Sequence, residues 1–284
     1  MRNNLFFIRD VPLLYIPQYN HSLREPIMHI QLMPGKSKEW GPYLLTASRY
    51  ELTEDVIGRI YLESERYADA RGVLEEAVST SESIGERQLM AEGYATTGKY
   101  HYASGNDLKA VEFIEKAIEL DRKEGHKAVG GRLNILGLVN LRNGKVKEAE
   151  DIFKEALSYN MKSGNHIEIA NSCRGMGDIV EAKEELKEAG EMFQKALDSD
   201  KLAGSSRKIG IDLARLGGVG LKGKRYKEAL DYFMRAYDVN LNSDDMDAAA
   251  RGIDNIIKVY KETGETDKAA FYEVQKERLL RGLH

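Results

Sequence analysis

The stretch that decides the fold is Asn134–Leu157, NILGLVNLRNGKVKEAEDIFKEAL, which places small residues at fixed positions among large apolar ones. Its small residues include Gly137, Ala149 and Ala156, and Phe153 lies between the two alanines. In the second half of the stretch the apolar residues recur every three or four positions, as they do on one face of a helix. The stretch therefore predicts two helices that pack closely through their small residues.

The turn between these helices is predicted at Gly144. We expect the first helix over about 130–143 and the second over about 147–162. A glycine just past a helix end adopts the left-handed conformation that caps the last carbonyl groups. Such ends are predicted in successive copies at Gly85, Gly125, Gly164, Gly204 and Asp244.

The same pattern recurs with a period of 39 or 40 residues, so the stretch is one copy of a repeat. The position of Ala149 is alanine in every copy: Ala70, Ala110, Ala149, Ala189, Ala229 and Ala269. The position of Gly137 is held by Gly58, Gly98, Gly137, Gly177, Gly217 and finally Ile257. A two-helix repeat of this length is typical of solenoids, in which each repeat packs on its neighbours. The predicted repeats lie near 51–90, 91–129, 130–169, 170–209, 210–249 and 250–284.

The repeats resemble the tetratricopeptide repeat family. The family pattern of Leu-Gly, then Tyr, Ala, an aromatic residue and Ala is matched by LGLVNLRNGKVKEAEDIFKEA at 136–156 and by LGGVGLKGKRYKEALDYFMRA at 216–236. The repeat is longer than the usual unit of about 34 residues. In this length it resembles the subclass found in kinesin light chains, spindle-orientation adaptors and bacterial peptide-sensing regulators. The resemblance covers residues 49–284 and implies an all-α fold, a right-handed superhelical solenoid of about six helix-turn-helix repeats.

The first 48 residues differ in composition from the rest of the chain. They contain the single Trp40 and all five prolines: Pro12, Pro17, Pro26, Pro34 and Pro42. Because proline interrupts helices, residues 1–48 are predicted to be an irregular segment before the helical solenoid of 49–284. The apolar run LFFIRDVPLLYIPQY at 5–19 leaves three alternatives: a disordered leader, an extended arm on the first repeat, or an arm in a groove of its own or a neighbouring molecule. An exposed apolar patch of this size favours packing over disorder.

Composition and motifs exclude several classes of function. The net charge of −4 and the pI of about 6.0 give no basic field for nucleic acid. The single Cys173 rules out a disulfide within the chain and the usual cysteine-based zinc sites. The sequence contains no run of about 18 apolar residues, which a membrane-spanning helix would need, and no signal peptide is evident. We therefore expect a cytoplasmic protein without a membrane partner.

The search for catalytic chemistry is nearly empty. No phosphate-binding glycine loop, metalloprotease motif or nucleophile elbow occurs in the sequence. A metal pair between His126 and His166, in consecutive inter-repeat loops, is disfavoured because no carboxylate–histidine signature lies near them. We therefore predict no enzyme activity, no cofactor and no metal.

The resemblance also implies where a ligand binds, because in this family the first helices of successive repeats line a concave groove. The ligand-contacting positions of the family correspond here to Lys99, Tyr102, Asn134, Leu138, Arg142, Asn171, Arg174, Asp178, Arg215, Lys222, Arg251 and Asn255. Arg142, Arg174 and Arg215 are the strongest candidates, since arginine on a rigid helix can hold the carboxylates of a peptide. The alternative is that these cations pair with Asp178 and Glu181 and bind nothing.

The predicted function is a non-enzymatic scaffold that binds a peptide or partner segment in the concave groove. The alternative is a peptide- or ligand-sensing regulatory protein whose superhelix changes shape on binding. The expected partner is a protein or peptide, and homodimerisation is open at two places, the N-terminal segment and the last helix. In that helix Glu273 and Lys276 predict a polar capping face, and Leu279 and Leu280 are expected to be exposed.

Overall fold

The computed structural model describes residues 4–8, 11–20, 25–32, 45–47, 61–62, 67–125 and 127–281. The chain divides into two compact units, Met1–Tyr100 and His101–His284. In the first unit four strands pair in chain order as an antiparallel sheet: β1 Asn4–Ile8, β2 Val11–Asn20, β3 Glu25–Leu32 and β4 Leu45–Ala47.

These strands differ from the irregular structure predicted for residues 1–48. In the observed register Tyr15 of β2 lies between Asn4 of β1 and Ile30 of β3. A proline removes a single backbone donor from a strand, whereas the aromatic and β-branched residues around it favour the extended conformation. The strands form despite the prolines, and where the segment packs stays a prediction.

The described helices of the first unit are α1, Tyr67–Ile84, and α2, Arg87–Ala103, whose last residues belong to the second unit. Helix α1 buries Ala70, Leu74 and Ala77, which are the positions of Ala149, Phe153 and Ala156 in the repeat. The first helix predicted for the repeat near 51–90, with its Gly58, lies largely outside the described residues.

The second unit continues with a run of helices that pack in chain order, each on the next. They are α3 Asp107–Glu124, α4 Val129–Arg142, α5 Val146–Ser163, α6 His166–Ala182, α7 Leu186–Ala203, α8 Ser206–Lys222, α9 Tyr226–Asn242, α10 Met246–Glu262 and α11 Thr266–Leu280. The helices predicted over 130–143 and 147–162 are observed as α4 and α5. The helical part of the chain is an all-α repeat solenoid, which confirms the predicted fold class.

The small residues of the repeat are required by close packing. A Cβ atom at Gly137 would lie 2.8 Å from the ring of Phe153, and one at Gly177 would lie 2.6 Å from the ring of Phe193. Real Cβ atoms do not approach other atoms so closely, so each glycine admits a phenylalanine ring that a larger residue would displace. Both rings and Ala149 are fully buried.

The turns and helix ends also follow the predicted positions. Gly144 has a φ of 74°, and the helix-ending residues Gly125, Gly164 and Gly204 have φ values of 65°, 68° and 68°. Asp244, which replaces glycine in the fifth repeat, has a φ of 59°. Glu184 takes the place of Gly144 in the fourth repeat and has the same left-handed conformation, with a φ of 63°. This backbone conformation costs a residue with a side chain more than it costs glycine.

Candidate functional site

Most predicted groove residues of the second unit lie on the first helices α4, α6, α8 and α10, and Tyr102 lies on α2. We define the first-helix face as Leu138, Arg142, Asn171, Asp178, Arg215, Gly218, Lys222, Arg251, Asn255 and Lys258, whose exposure is partial or high. Contacts across the face place α6 beside α8, because Arg215 lies 3.2 Å from Asp178 and Lys222 lies 2.8 Å from Glu181. Leu221 of α8 packs against a buried cluster formed by residues of α9, α10 and α11.

At one end of this face Arg142 is held by two groups. Its guanidinium lies 4.1 Å from the centre of the Tyr102 ring and pairs with the carboxylate of Asp107. The side chain of Arg142 remains 38% exposed, and Leu138 packs partly buried against the cluster of Ala149, Phe153 and Ile179. The structure thus brings Tyr102 and Arg142 together. The predicted Lys99 is exposed in the first unit.

Asn134 is not on the accessible face. It is only 2% exposed, and its amide donates to the carbonyl oxygen and to Oε2 of Glu168, at 2.9 and 2.8 Å. Its Oδ1 accepts a hydrogen bond from Ser172 at 2.7 Å. The prediction placed Asn134 where a partner would contact it, whereas in the structure it joins α4 to α6 inside the packing.

Arg174, one of the three strongest candidates, is also enclosed. Its side chain is 14% exposed, and it donates to Asp200 of α7 at 2.5 Å and to Asp212 of α8 at 3.0 Å. It also donates to Oδ1 of Asn171 at 2.5 Å. With its donors directed at residues of its own chain, Arg174 connects three helices rather than presenting its charge on the face.

The structure therefore contains a buried polar network that the sequence prediction missed. Asn171 donates to Glu168 at 3.0 Å and accepts a hydrogen bond from Lys208 at 3.3 Å, and Asn160 donates to Ser172 at 3.2 Å. A signal for it is present in the sequence. Polar residues recur at one position of the second helices, 39 or 40 residues apart, and all are buried: Asp121, Asn160, Asp200 and Asn240.

Arg215 and Lys222 remain accessible although each has an acidic partner. Their side chains are 47% and 59% exposed. Arg215 pairs with Asp178, as the alternative in the sequence analysis expected, and Lys222 pairs with Glu181. Burial raises the pKa of Asp178, and the charge of Arg215 opposes that shift. Exposed ion pairs contribute only about 0–1 kcal/mol, so the anionic group of a ligand can compete for these cations.

Helix α10 adds a row of polar side chains to the same face. Arg251 and Lys258 are exposed and Asn255 is partly exposed. Their spacing of four and three residues places the three side chains on one side of the helix, on successive turns. The neighbouring Asp254 and Lys261 are drawn toward the last helix, where they pair with Lys276 at 2.6 Å and with Glu273 at 2.8 Å. Arg251, Asn255 and Lys258 form a strip of α10 that is exposed or partly exposed.

Gly218 lies between Arg215 and Lys222 on α8. A Cβ atom added there would meet no atom within 4 Å, in contrast to Gly217, where it would lie 2.6 Å from the ring of Phe233. Glycine inside a helix is less stable than alanine by about 0.5–1 kcal/mol. Packing within the described chain explains Gly217 but not Gly218, which lies beside open space between two cations.

In the last helix, Glu273 and Lys276 pair with Lys261 and Asp254 of α10. Leu279, expected to be exposed, is instead 7% exposed and belongs to the core. The helix leaves other apolar side chains in solvent: Phe271, Val274 and Leu280. Burial of Leu279 follows from the helical period, because it lies near Tyr272 and Gln275 on the inner side of α11.

Within the described ranges, no three His, Cys, Asp or Glu side chains converge as a metal ion would require. His126 of the disfavoured metal pair lies outside those ranges. Cys173 is buried, and burial raises the pKa of its thiol. Of the helices that the structure describes, none has both the length and the apolar character needed to cross a membrane.

Comparison with known proteins identifies the repeats. Residues 91–124 and 132–201 each match a family model described as tetratricopeptide repeat. No curated protein matches the chain.

Several solved structures share the fold. BtubC (BKLC) from P. vanneervenii is 16% identical, with a TM-score of 0.65 over 78% of this chain and 91% of that one. The apo form of RapI is 16% identical, with a TM-score of 0.61 over 81% and 98%. A Rap protein complexed with competence and sporulation factor is 15% identical, with a TM-score of 0.62 over 83% and 67%. The matched segments identify tetratricopeptide repeats at 91–124 and 132–201, and these solved structures share the fold of the repeat array.

Proposed function

We propose that the first-helix face binds an extended, acidic segment of a partner protein or peptide, with its centre at Gly218. The observation that carries the proposal is the open space at Gly218 between Arg215 and Lys222, with Arg251 and Lys258 exposed on the next first helix. The Rap protein complexed with competence and sporulation factor has the same fold, which supports the use of such a repeat array in binding.

Each part of the face has a physical role in this proposal. The absence of a side chain at Gly218 lets the backbone of a ligand approach α8 closely. Arg215 and Arg251 can form paired hydrogen bonds to carboxylates, and Lys222 and Lys258 supply further positive charge. Exchange of Asp178 for a ligand carboxylate at Arg215 replaces one ion pair by another, so little binding energy is lost in opening the face.

A peptide display selection tests the proposal, since the natural partner is unidentified. The protein is the bait for a random peptide library, and a selected peptide is synthesised together with a version in which Asn and Gln replace its Asp and Glu. We expect the selected peptides to be enriched in acidic residues. We expect the neutral version to bind at least about tenfold more weakly, which corresponds to about 1.4 kcal/mol.

The decisive variant is Gly218→Leu, which places a side chain in the open space at Gly218. Because leucine favours a helix more than glycine does, this variant should fold at least as well as the original, so that weaker binding reports the site. Gly72→Leu is the matched control, since Gly72 is also inside a helix with no atom within 4 Å of an added Cβ. Binding that survives Gly218→Leu, or selected peptides without acidic enrichment, would show that the site lies elsewhere. Small-angle scattering with and without the peptide separates a rigid scaffold from a regulator that changes shape.

A further inference from the structure

At the junction between the fourth and fifth repeats, two fully buried acids share one arginine. Asp200 of α7 and Asp212 of α8 have no exposed surface, and Arg174 of α6 is the guanidinium that bonds to both. With both carboxylates ionised, these three side chains would hold a net charge of −1 away from water. Burying an uncompensated charge is strongly unfavourable, and proteins avoid it by keeping one group neutral.

The hydrogen bonds of the junction also indicate that one of the two carboxyl groups is neutral. Oδ2 of Asp200 accepts from Arg174, and both oxygens of Asp212 do as well. Oδ1 of Asp200 is buried and accepts no hydrogen bond from any described donor. A proton placed between the two carboxyl groups supplies a donor to the acceptor-rich site and removes the excess negative charge, as in carboxylate pairs that share one proton.

The equivalent junctions in the same chain lack this excess. Between the second and third repeats Asp121 pairs with Arg132 at 3.2 Å, so one carboxylate meets one guanidinium. Between the third and fourth, Asn160 donates to Ser172, and both are neutral. Among the described residues, the junction of Asp200 and Asp212 is therefore where two buried carboxylates meet.

We propose that one proton, shared by Asp200 and Asp212, couples α6 to α8, and that its loss at higher pH loosens this junction and weakens ligand binding on the first-helix face. The effect on binding rests on the function proposed above, whereas the shared proton does not. The coupling follows from position, because α6 carries Asp178 and α8 carries Arg215 and Gly218. Repulsion between two buried carboxylates would separate α7 from α8 and shift the spacing of the first helices.

The groups that face the pair from each packed helix are few. From α6 these are Arg174, Glu168 and the thiol of Cys173, and from α8 it is Lys208, whose amine reaches Asn171. Burial raises the pKa of Asp212 to about 7, Arg174 opposes that shift, and the neighbouring Asp200 adds to it. Burial also lowers the pKa of Lys208, and the charges of Asp200 and Asp212 oppose that shift.

The sign of the pH effect follows from these directions. An aspartate in the unfolded chain has a pKa of about 3.9, below that of the folded junction. The folded state therefore holds one more proton between about pH 4 and pH 7. Over that range this group alone raises the unfolding equilibrium constant about tenfold for each pH unit, and above pH 7 the effect levels off.

The first test detects the proton without any ligand. Infrared difference spectra between pH 6 and pH 8 should show the carbonyl band of a buried protonated carboxyl that disappears at pH 8. The band should be absent in Asp212→Asn, and it should persist in Asp178→Asn, the control for the other acid whose pKa is raised. Hydrogen exchange of α7 and α8, corrected for intrinsic rates, should be faster at pH 8 than at pH 6 in the original protein only.

The substitution Asp212→Asn keeps the shape of the side chain. Asp200→Asn is the second variant, to be used if Asp212→Asn does not fold. A missing band at pH 6, or a band unchanged in both variants, would overturn the shared proton.

The second test uses the acidic peptide selected above. We expect it to bind about fivefold more tightly at pH 6 than at pH 8, at the low end of ordinary coupling free energies, and equally at both in Asp212→Asn. A band that titrates with no change in affinity would overturn the coupling to binding. If no peptide binds, the proposed function fails while the infrared result still decides the shared proton.

Discussion

Arg174 and Arg215 lie on successive first helices, and their guanidinium groups meet opposite surroundings. Arg174 is 14% exposed and donates to Asp200, Asp212 and Asn171, whereas Arg215 is 47% exposed and has Asp178 as its acidic partner. In the repeat, Arg174 corresponds to Ala214, so the two arginines are offset by one position, about 100° around the helix. Because of this offset, the side chain of Arg174 lies in the junction between repeats, whereas that of Arg215 lies on the accessible face.

The largest effect expected from this contrast is on stability. Arg174→Ala leaves two buried carboxylates without their cation, which should lower the free energy of unfolding by about 3–5 kcal/mol. Arg215→Ala removes an exposed ion pair and should lower it by about 0–1 kcal/mol. Urea unfolding of both variants at pH 7 measures the difference. Similar losses in the two variants would mean that the two arginines have equivalent surroundings.

The contrast between buried and exposed positions should extend to packing within one helix. Ala149 of α5 is fully buried, so Ala149→Leu overpacks the contact between repeats and should cost about 1–3 kcal/mol. Lys154 of the same helix is 54% exposed and pairs with Glu150, so Lys154→Ala should cost little. Thermal unfolding followed by circular dichroism compares them. Equal melting temperatures would contradict the packing register.

The smallest effect concerns a partly exposed acid whose pKa moves in the opposite direction to that of Asp212. Hydrogen bonds from Lys154 and then Lys183 lower the pKa of Glu150 to about 2. Its unfolded pKa is about 4.3, so its contribution to stability is present above that pH and is lost as the pH falls toward 2. The pair lies near the surface, and we expect less than about 1 kcal/mol. The melting temperatures of the original protein and Glu150→Gln should differ at pH 7 and converge at pH 2; a gap that widens in acid would refute this assignment.

Some of the site could be predicted because it depends on local and repeated features. The exposure of Arg215 and Lys222 and the positions of Gly137 and Ala149 follow from a helical period repeated every 39 or 40 residues. Asn134 could not be placed from that period, because its burial depends on Glu168 and thus on the next repeat. The burial of Asp200 could have been predicted, because polar residues occupy its position in the other repeats at the same spacing of 39 or 40 residues.

The amino-acid sequence by itself determined the repeat, its small-residue contacts, its turns and its all-α class, because each of these follows from side-chain size and spacing along one chain segment. The tertiary structure decided which polar residues carry charge to the surface and which are enclosed. Arg174 and Arg215 have the same chemistry and nearly the same position in the repeat. What separates them is the presence of Asp200 and Asp212 on two other helices, and burial and charge balance are set by all the neighbours of a group together.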